Sequence, residues 1–286
     1  MKFFNGSQLR TAINKQQTEK MTTEKTYTVP TMADLAAANE EPEVLFWVGC
    51  AGSFDDRYKR VTIAFVRILN HVGIKFAVLG PEEACTGDPA RRAGNEFLFQ
   101  MQAMANIQVL NGYNVKKIVT ACPHCFNTLK NEYPDLGGKY DVIHHSQFLQ
   151  GLIDEGRIKV KDGESFKGRK ITFHDSCYLG RANKVYEAPR HVLAALDADL
   201  VEMKRVRANG LCCGAGGGQY FKEPEPGNKD VNVERVEEAL ATGADTIAVA
   251  CPFCMTMMSD GVKNKNQEDK VRVYDISELI AQKQGL

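Results

Sequence analysis

Eight of the nine cysteines fall into two sets with one spacing. Cys50, Cys85, Cys122 and Cys125 form the first set; Cys177, Cys212, Cys251 and Cys254 form the second. Cys50 and Cys177 lie 127 positions apart, as do Cys85 and Cys212, and the two C-x-x-C pairs are offset by 129. Thiols that keep their places in an internal repeat point to a duplicated metal-binding unit. A C-x-x-C pair lets two thiolates chelate from one turn, and two more complete a four-sulfur set that suits zinc or a 4Fe–4S cluster. The ninth cysteine, Cys213, adjoins Cys212 in a CCG tripeptide closed by Gly214. Adjacent thiolates can share one small tetrahedral ion only with strain, yet they can serve different irons of a cluster. Five thiols also exceed the need of one structural zinc, so the second set reads as an iron–sulfur site. The first set has ACTGDP where the second has LCCGAG, so Thr86 replaces the fifth cysteine. That set is expected to hold a four-thiolate 4Fe–4S cluster or zinc.

Other candidates surround these thiols. Gly214, Gly216, Gly217 and Gly218 form a loop that serves either to donate amide hydrogens to cluster sulfurs or as a plain turn. It lacks the following Gly-Lys-Ser/Thr of a phosphate loop and is not a dinucleotide fingerprint. His124 reads first as a helix-start residue, with donation to a cluster or a proton relay as the alternative. His174 and Asp175, just ahead of Cys177, suit strand-end hydrogen bonding and shaping of the site equally. His144 and His145 mark a strand-to-helix junction, and Asp88 and Arg91 read as loop charges. No residue is singled out as catalytic, and a Cys–His nucleophile is disfavoured because almost every thiol already has a metal-like partner set.

The elements needed to gather these thiols are legible in each repeat. Residues 44–48 form a compact apolar run that reads as a buried parallel strand ending at Cys50. A helix over 57–72 places Val61, Ala64, Phe65, Ile68, Leu69 and Val72 on one face. A strand over 75–79, a long helix over about 90–110 and a strand over 117–120 lead into Cys122. A helical stretch over 126–133, a strand over 140–143 and a helix over 146–153, capped by Ser146, close the repeat. The second repeat retraces this order with strands at 170–173, 200–203, 246–250 and 271–274. Its helices are expected over 185–196, around Val233, Val236 and Leu240, and over 276–281. The alternation predicts an α/β fold: two tandem repeats, each a parallel β-sheet flanked by helices, with metal sites at the carboxyl ends of the strands. The expected divisions are a flexible amino-terminal extension (1–43), a first cysteine-rich domain (44–156) and a second (168–284), with a charged linker around 157–170.

Composition narrows the function classes. The 286 residues carry equal numbers of acidic and basic side chains and a formal net charge of zero. No basic run suggests nucleic-acid binding, and no stretch is apolar enough to span a membrane. The polar first 20 residues lack a signal-peptide core, which predicts reduced thiols in the cytoplasm. Met21 is a candidate alternative start.

Cys177, the Cys212-Cys213-Gly214 tripeptide and Cys251-Pro252-Phe253-Cys254 together resemble the cysteine-rich CCG domain. That domain is found in heterodisulfide reductase subunits and in iron–sulfur subunits of glycolate and lactate oxidation systems. HDSCYLGR at 174–181 and CCGAGGG at 212–218 resemble that family's segments, and the likeness runs over about 44–284. The resemblance implies a non-cubane 4Fe–4S cluster on Cys177, Cys212, Cys213, Cys251 and Cys254. It also implies an iron–sulfur subunit of a multi-subunit oxidoreductase, carrying electrons to or from a disulfide, quinone or organic-acid reaction. The chain has no ferredoxin-type cysteine run and no flavin or nicotinamide fingerprint, so its electrons are expected from a ferredoxin-type or flavin subunit. The resemblance further implies that such a partner can be membrane-attached. The alternative is a zinc-stabilised binding or scaffold protein without redox turnover.

Overall fold

The computed structural model describes residues 27–158, 166–223 and 226–286. Met21, the first part of the expected extension and half of the expected linker lie outside the described residues.

Two four-stranded parallel sheets are built in the same order. The first joins β1 (Val44–Trp47), β2 (Phe76–Ala77), β3 (Lys117–Thr120) and β4 (Asp141–His144) as β2-β1-β3-β4. The second joins β5 (Lys170–Phe173), β6 (Asp199–Leu200), β7 (Thr246–Val249) and β8 (Arg272–Asp275) as β6-β5-β7-β8. Registers correspond: Thr120 lies opposite His144 in one sheet, and Val249 opposite Asp275 in the other. The central strands β1 and β7 are buried along their whole length because helices cover both faces of a parallel sheet.

In the first repeat, α1 (Met32–Ala37), α2 (Gly49–Phe54), α3 (Asp56–His71), α4 (Asp88–Arg92), α5 (Glu96–Gly112), α6 (Pro123–Asn127) and α7 (His145–Asp154) follow in order. The second contributes α8 (Glu187–Ala194), α9 (Val231–Leu240), α10 (Pro252–Asn264) and α11 (Ile276–Gln284). The expected face of α3 is buried at Val61, Ala64, Phe65, Ile68 and Leu69. The helix expected over 90–110 is two helices. Gly94 interrupts it, and the Asn95 side chain accepts from Leu98 N at 3.0 Å to start α5. The cap of α7 is the His144 side chain rather than Ser146.

Residues 27–43 are not a free extension. Thr31 pairs with Val78 in parallel, and Met32 N donates to Val78 O at 2.9 Å. Val29, Met32 and Leu35 are buried in the core. The cause is the edge position of β2, whose outer side the 27–37 segment covers.

The repeats meet through reciprocal helices. α3 packs on α11, and α7 on α8. Arg57 reaches across to Glu278 with two bonds of 2.7 and 2.8 Å and to Val273 O at 2.9 Å. At the centre, His145 Nε2 lies 2.9 Å from Asp275 Oδ1, both fully buried.

Candidate metal centre

Each thiol sits where a strand ends. Cys50 opens α2 directly after β1, Cys122 and Cys125 flank the start of α6 after β3, and Cys85 lies in the loop beyond β2. Cys177 follows β5, Cys212 and Cys213 lie in the loop after β6, and Cys251 and Cys254 start α10. The carboxyl edge of a parallel sheet therefore gathers residues far apart in sequence. All nine cysteines are free thiols.

The first set lines one pocket together with Trp47, Thr86, Asp88, His124 and Phe253. Within it, the Cys50 thiol hydrogen-bonds Cys85, and Cys122 bonds Cys125. Cys85 is drawn down to about 7 by the Cys50 thiol, with Gly87 N adding a bond at 3.4 Å. The second set repeats the arrangement. Cys177 bonds Cys212, which lies well below an ordinary thiol because Cys177, Cys213 and the amides of Gly214 and Gly216 all donate to it. Gly214 N lies 3.3 Å from Cys212 Sγ, matching Gly87 on Cys85. The glycine loop thus donates an amide hydrogen to a cysteine sulfur. Gly214 has φ +97°, a left-handed backbone that glycine adopts at little cost, and this conformation aims its amide.

The fifth cysteine has a clear spatial counterpart. Cys213 Sγ lies 3.5 Å from Cys254 Sγ, and Thr86 Oγ1 lies 4.0 Å from Cys125 Sγ. Thr86 therefore points at the first C-x-x-C as Cys213 points at the second. Asn106 fixes this loop, donating to Cys85 O at 2.9 Å, while Tyr133 OH donates to Thr86 O at 3.2 Å. Glu83 accepts from Val48 N and Gly49 N at 3.0 and 2.6 Å, and its burial pushes the carboxyl up to about 8.

Further residues distinguish the sites. Arg235, wholly buried, donates from Nε to His174 Nδ1 at 3.0 Å, which leaves the ring proton on Nε2. Burial and then Arg235 hold His174 neutral, down to about 3. A ring nitrogen of His174 and the sulfurs of Cys213 and Cys254 lie within 4.8 Å of one another. The positions equivalent to His174 and Arg235 in the first repeat hold Trp47 and Asn106. Sequence reading passed over Trp47, Glu83, Asn106 and Arg235. Comparing the repeats at their fixed offsets would have flagged Trp47, Asn106 and Arg235, because each differs in chemistry from its counterpart. Asp175 is structural: Arg190 grips it at 2.8 and 2.9 Å, and Arg207 N donates at 2.7 Å. His144 and His145 lie at the repeat interface, with bonds to Ser146 and Asp275.

The donor sets fit iron–sulfur groups. Four or five soft thiols converge in each, and Trp47 Nε1, buried beside the first set, has no protein partner among the described residues. At Gly216 a Cβ would stand 3.6 Å from Cys177 Sγ and 3.9 Å from Cys212 Sγ, so the missing side chain leaves room beside both sulfurs.

Parallel sheets with thiols gathered at their carboxyl edges, in two copies, define a duplicated cysteine-rich metal-site protein. Residues 44–130 and 171–259 each match the cysteine-rich (CCG) domain family, and the chain belongs to it. It is 48% identical over 255 residues to the "Probable iron-sulfur-binding oxidoreductase FadF" of Bacillus subtilis, covering 89% of this chain and 36% of that protein. It is 45% identical over 247 residues to the "EtfAB:quinone oxidoreductase" of Syntrophomonas wolfei, covering 84% and 34%. It is also 38% identical over 256 residues to one subunit of the dihydromethanophenazine:CoB–CoM heterodisulfide reductase of Methanosarcina barkeri, covering 86% and 60%. The chain therefore spans about a third of the first two relatives and three fifths of the third. The first two are oxidoreductases by name and the third is a reductase subunit, and the first is named for iron–sulfur binding. Among the described residues no helix is long and apolar enough to cross a membrane.

Proposed function

We propose that this chain is the iron–sulfur part of an oxidoreductase complex, carrying electrons between a partner and a disulfide, quinone or organic-acid reaction. Cys177, Cys212, Cys213, Cys251 and Cys254 would hold a non-cubane 4Fe–4S cluster. Cys50, Cys85, Cys122 and Cys125 would hold a four-thiolate 4Fe–4S cluster. The observation that carries the reading is Cys213 facing Cys254 while Cys212 faces Cys177, so that adjacent residues present sulfur to different parts of one site. Iron would supply the one-electron chemistry. The protein's own share is to bind through thiolates, to direct Gly214 N at Cys212 and to keep His174 neutral beside Cys213 and Cys254.

Electrons would come from a ferredoxin-type or flavin subunit, through which the chain could attach to the cytoplasmic face of a membrane. Phe97, Met101 and Met104 stand exposed on one face of α5, with Leu98 and Phe221 on the surface next to Cys85. An apolar patch beside a redox site supports a protein partner there. Anaerobic purification followed by iron, acid-labile sulfide and zinc analysis, with EPR before and after dithionite, tests the reading. Two clusters with distinct signals are expected. Stoichiometric zinc without labile sulfide would overturn it in favour of the zinc-stabilised scaffold.

A further inference from the structure

His124 lies between the two cysteines of the first C-x-x-C, and its ring bridges Asp88 of its own repeat and side chains of the second. Its Nδ1 is 3.0 Å from Asp88 Oδ2, and the ring hydrogen-bonds the sulfur of Cys251. It stacks on Tyr178 with centroids 4.2 Å apart and meets Phe253 edge-on at 4.9 Å. Tyr178 follows Cys177, and Phe253 lies between Cys251 and Cys254. Phe253 in turn lines the first pocket, so each C-x-x-C lends its middle residue to the other site.

This exchange is unequal. The two middle residues occupy equivalent positions 129 apart, but only His124 carries a polar nitrogen, and that nitrogen reaches the other repeat's sulfur. The surroundings fix it. The imidazole is buried, and Asp88 is itself buried and paired with Arg92 at 3.3 Å. Asn183 binds Asn127 and Asn131 of the first repeat at 3.1 and 2.9 Å, pinning the same boundary.

We infer that His124 is a positioning residue of the second site: anchored by Asp88, it hydrogen-bonds Cys251 across the repeat boundary and raises that site's reduction potential. Donors directed at a cluster's thiolates disperse the negative charge that grows on reduction, and charge-assisted hydrogen bonds are the stronger ones. The first site has Phe253 at the equivalent place, which donates nothing, so the two sites are poised differently by one pair of residues. The inference rests on the iron–sulfur reading above.

The test is a potentiometric titration of the anaerobic full chain with dithionite, followed by EPR, in wild type, His124→Phe and His124→Gln. Phenylalanine keeps the stack on Tyr178 but removes the donor. The reduction equilibrium of the second-repeat cluster should shift about tenfold towards the oxidised form, roughly 59 mV lower for one electron. Glutamine should restore part of the shift, and the first cluster should move less. If His124→Phe loses cluster, Asp88→Asn is read in its place, with a smaller shift in the same direction. An unchanged second-cluster potential in a fully loaded variant refutes the role of His124 alone. Wild-type protein with zinc and no labile sulfide refutes the iron–sulfur reading and this inference with it.

Discussion

Removing the Asp275 carboxylate should loosen the joint on which both sites depend. Its Oδ1 accepts from Ser277 N at 2.9 Å, from Ser277 Oγ at 2.6 Å and faces His145 Nε2 at 2.9 Å, all in the buried centre of the repeat interface. In Asp275→Ala the α11 cap is lost, about 1 kcal/mol. His145 is left buried without its partner, about 1–3 kcal/mol more. A total near 3 kcal/mol corresponds to a fall in melting temperature of roughly 6–12 °C for a chain of this size. Urea unfolding of the anaerobic protein, read by circular dichroism, measures it. Asp275→Asn keeps one acceptor and should cost about half as much. His145→Phe fits the edge-on neighbour Phe65, and a double-mutant cycle with Asp275→Ala should give a coupling of about 1–2 kcal/mol. A loss below about 0.5 kcal/mol, or additive single effects, would refute the claim that this pair holds the repeats together.

Cys213→Ser should alter the second cluster's EPR signal and lower the iron content while leaving the first signal in place; an unchanged spectrum and iron count would remove Cys213 from the ligand set. Gly216→Val should leave the cluster-free protein's unfolding free energy within about 0.5 kcal/mol of wild type yet cut cluster loading, since its side chain would occupy the space beside Cys177 and Cys212. Full loading would contradict that placement. Burial raises the Asp175 carboxyl, but Arg190 and the Arg207 amide outweigh it and hold it below the usual range. Its stabilisation is therefore present above about pH 4, the unfolded value, and is lost as pH falls through the lower folded value. Asp175→Asn should cost about 3 kcal/mol at neutral pH and lack that acid limb. Equal acid dependence in both proteins would count against the ion pair.

The central strands and the thiol sets were the readable parts. β3 and β5 fall where they were expected, because a strand covered on both faces is buried beyond its exposed first residue and rich in apolar side chains. Edge strands were harder. β2 and β6 are only two residues long, and nothing local shows where pairing stops. The break at Gly94 was hidden inside a helical pattern, and 27–37 read as free chain because its backbone bonds go to Val78, some 45 residues away.

The sequence by itself determined a duplicated thiol set at strand ends and the loss of one thiol at Thr86. Spacing and residue type carry that information, since ligands must be sulfur and must lie at the turns. Only the tertiary structure decided that Thr86 points at the sulfur of Cys125, that Arg235 sets the tautomer of His174, and that His124 serves the opposite repeat. Those facts depend on directions of side chains and on how two sheets face each other. Periodicity along the chain records which face is buried, but not what the buried group meets.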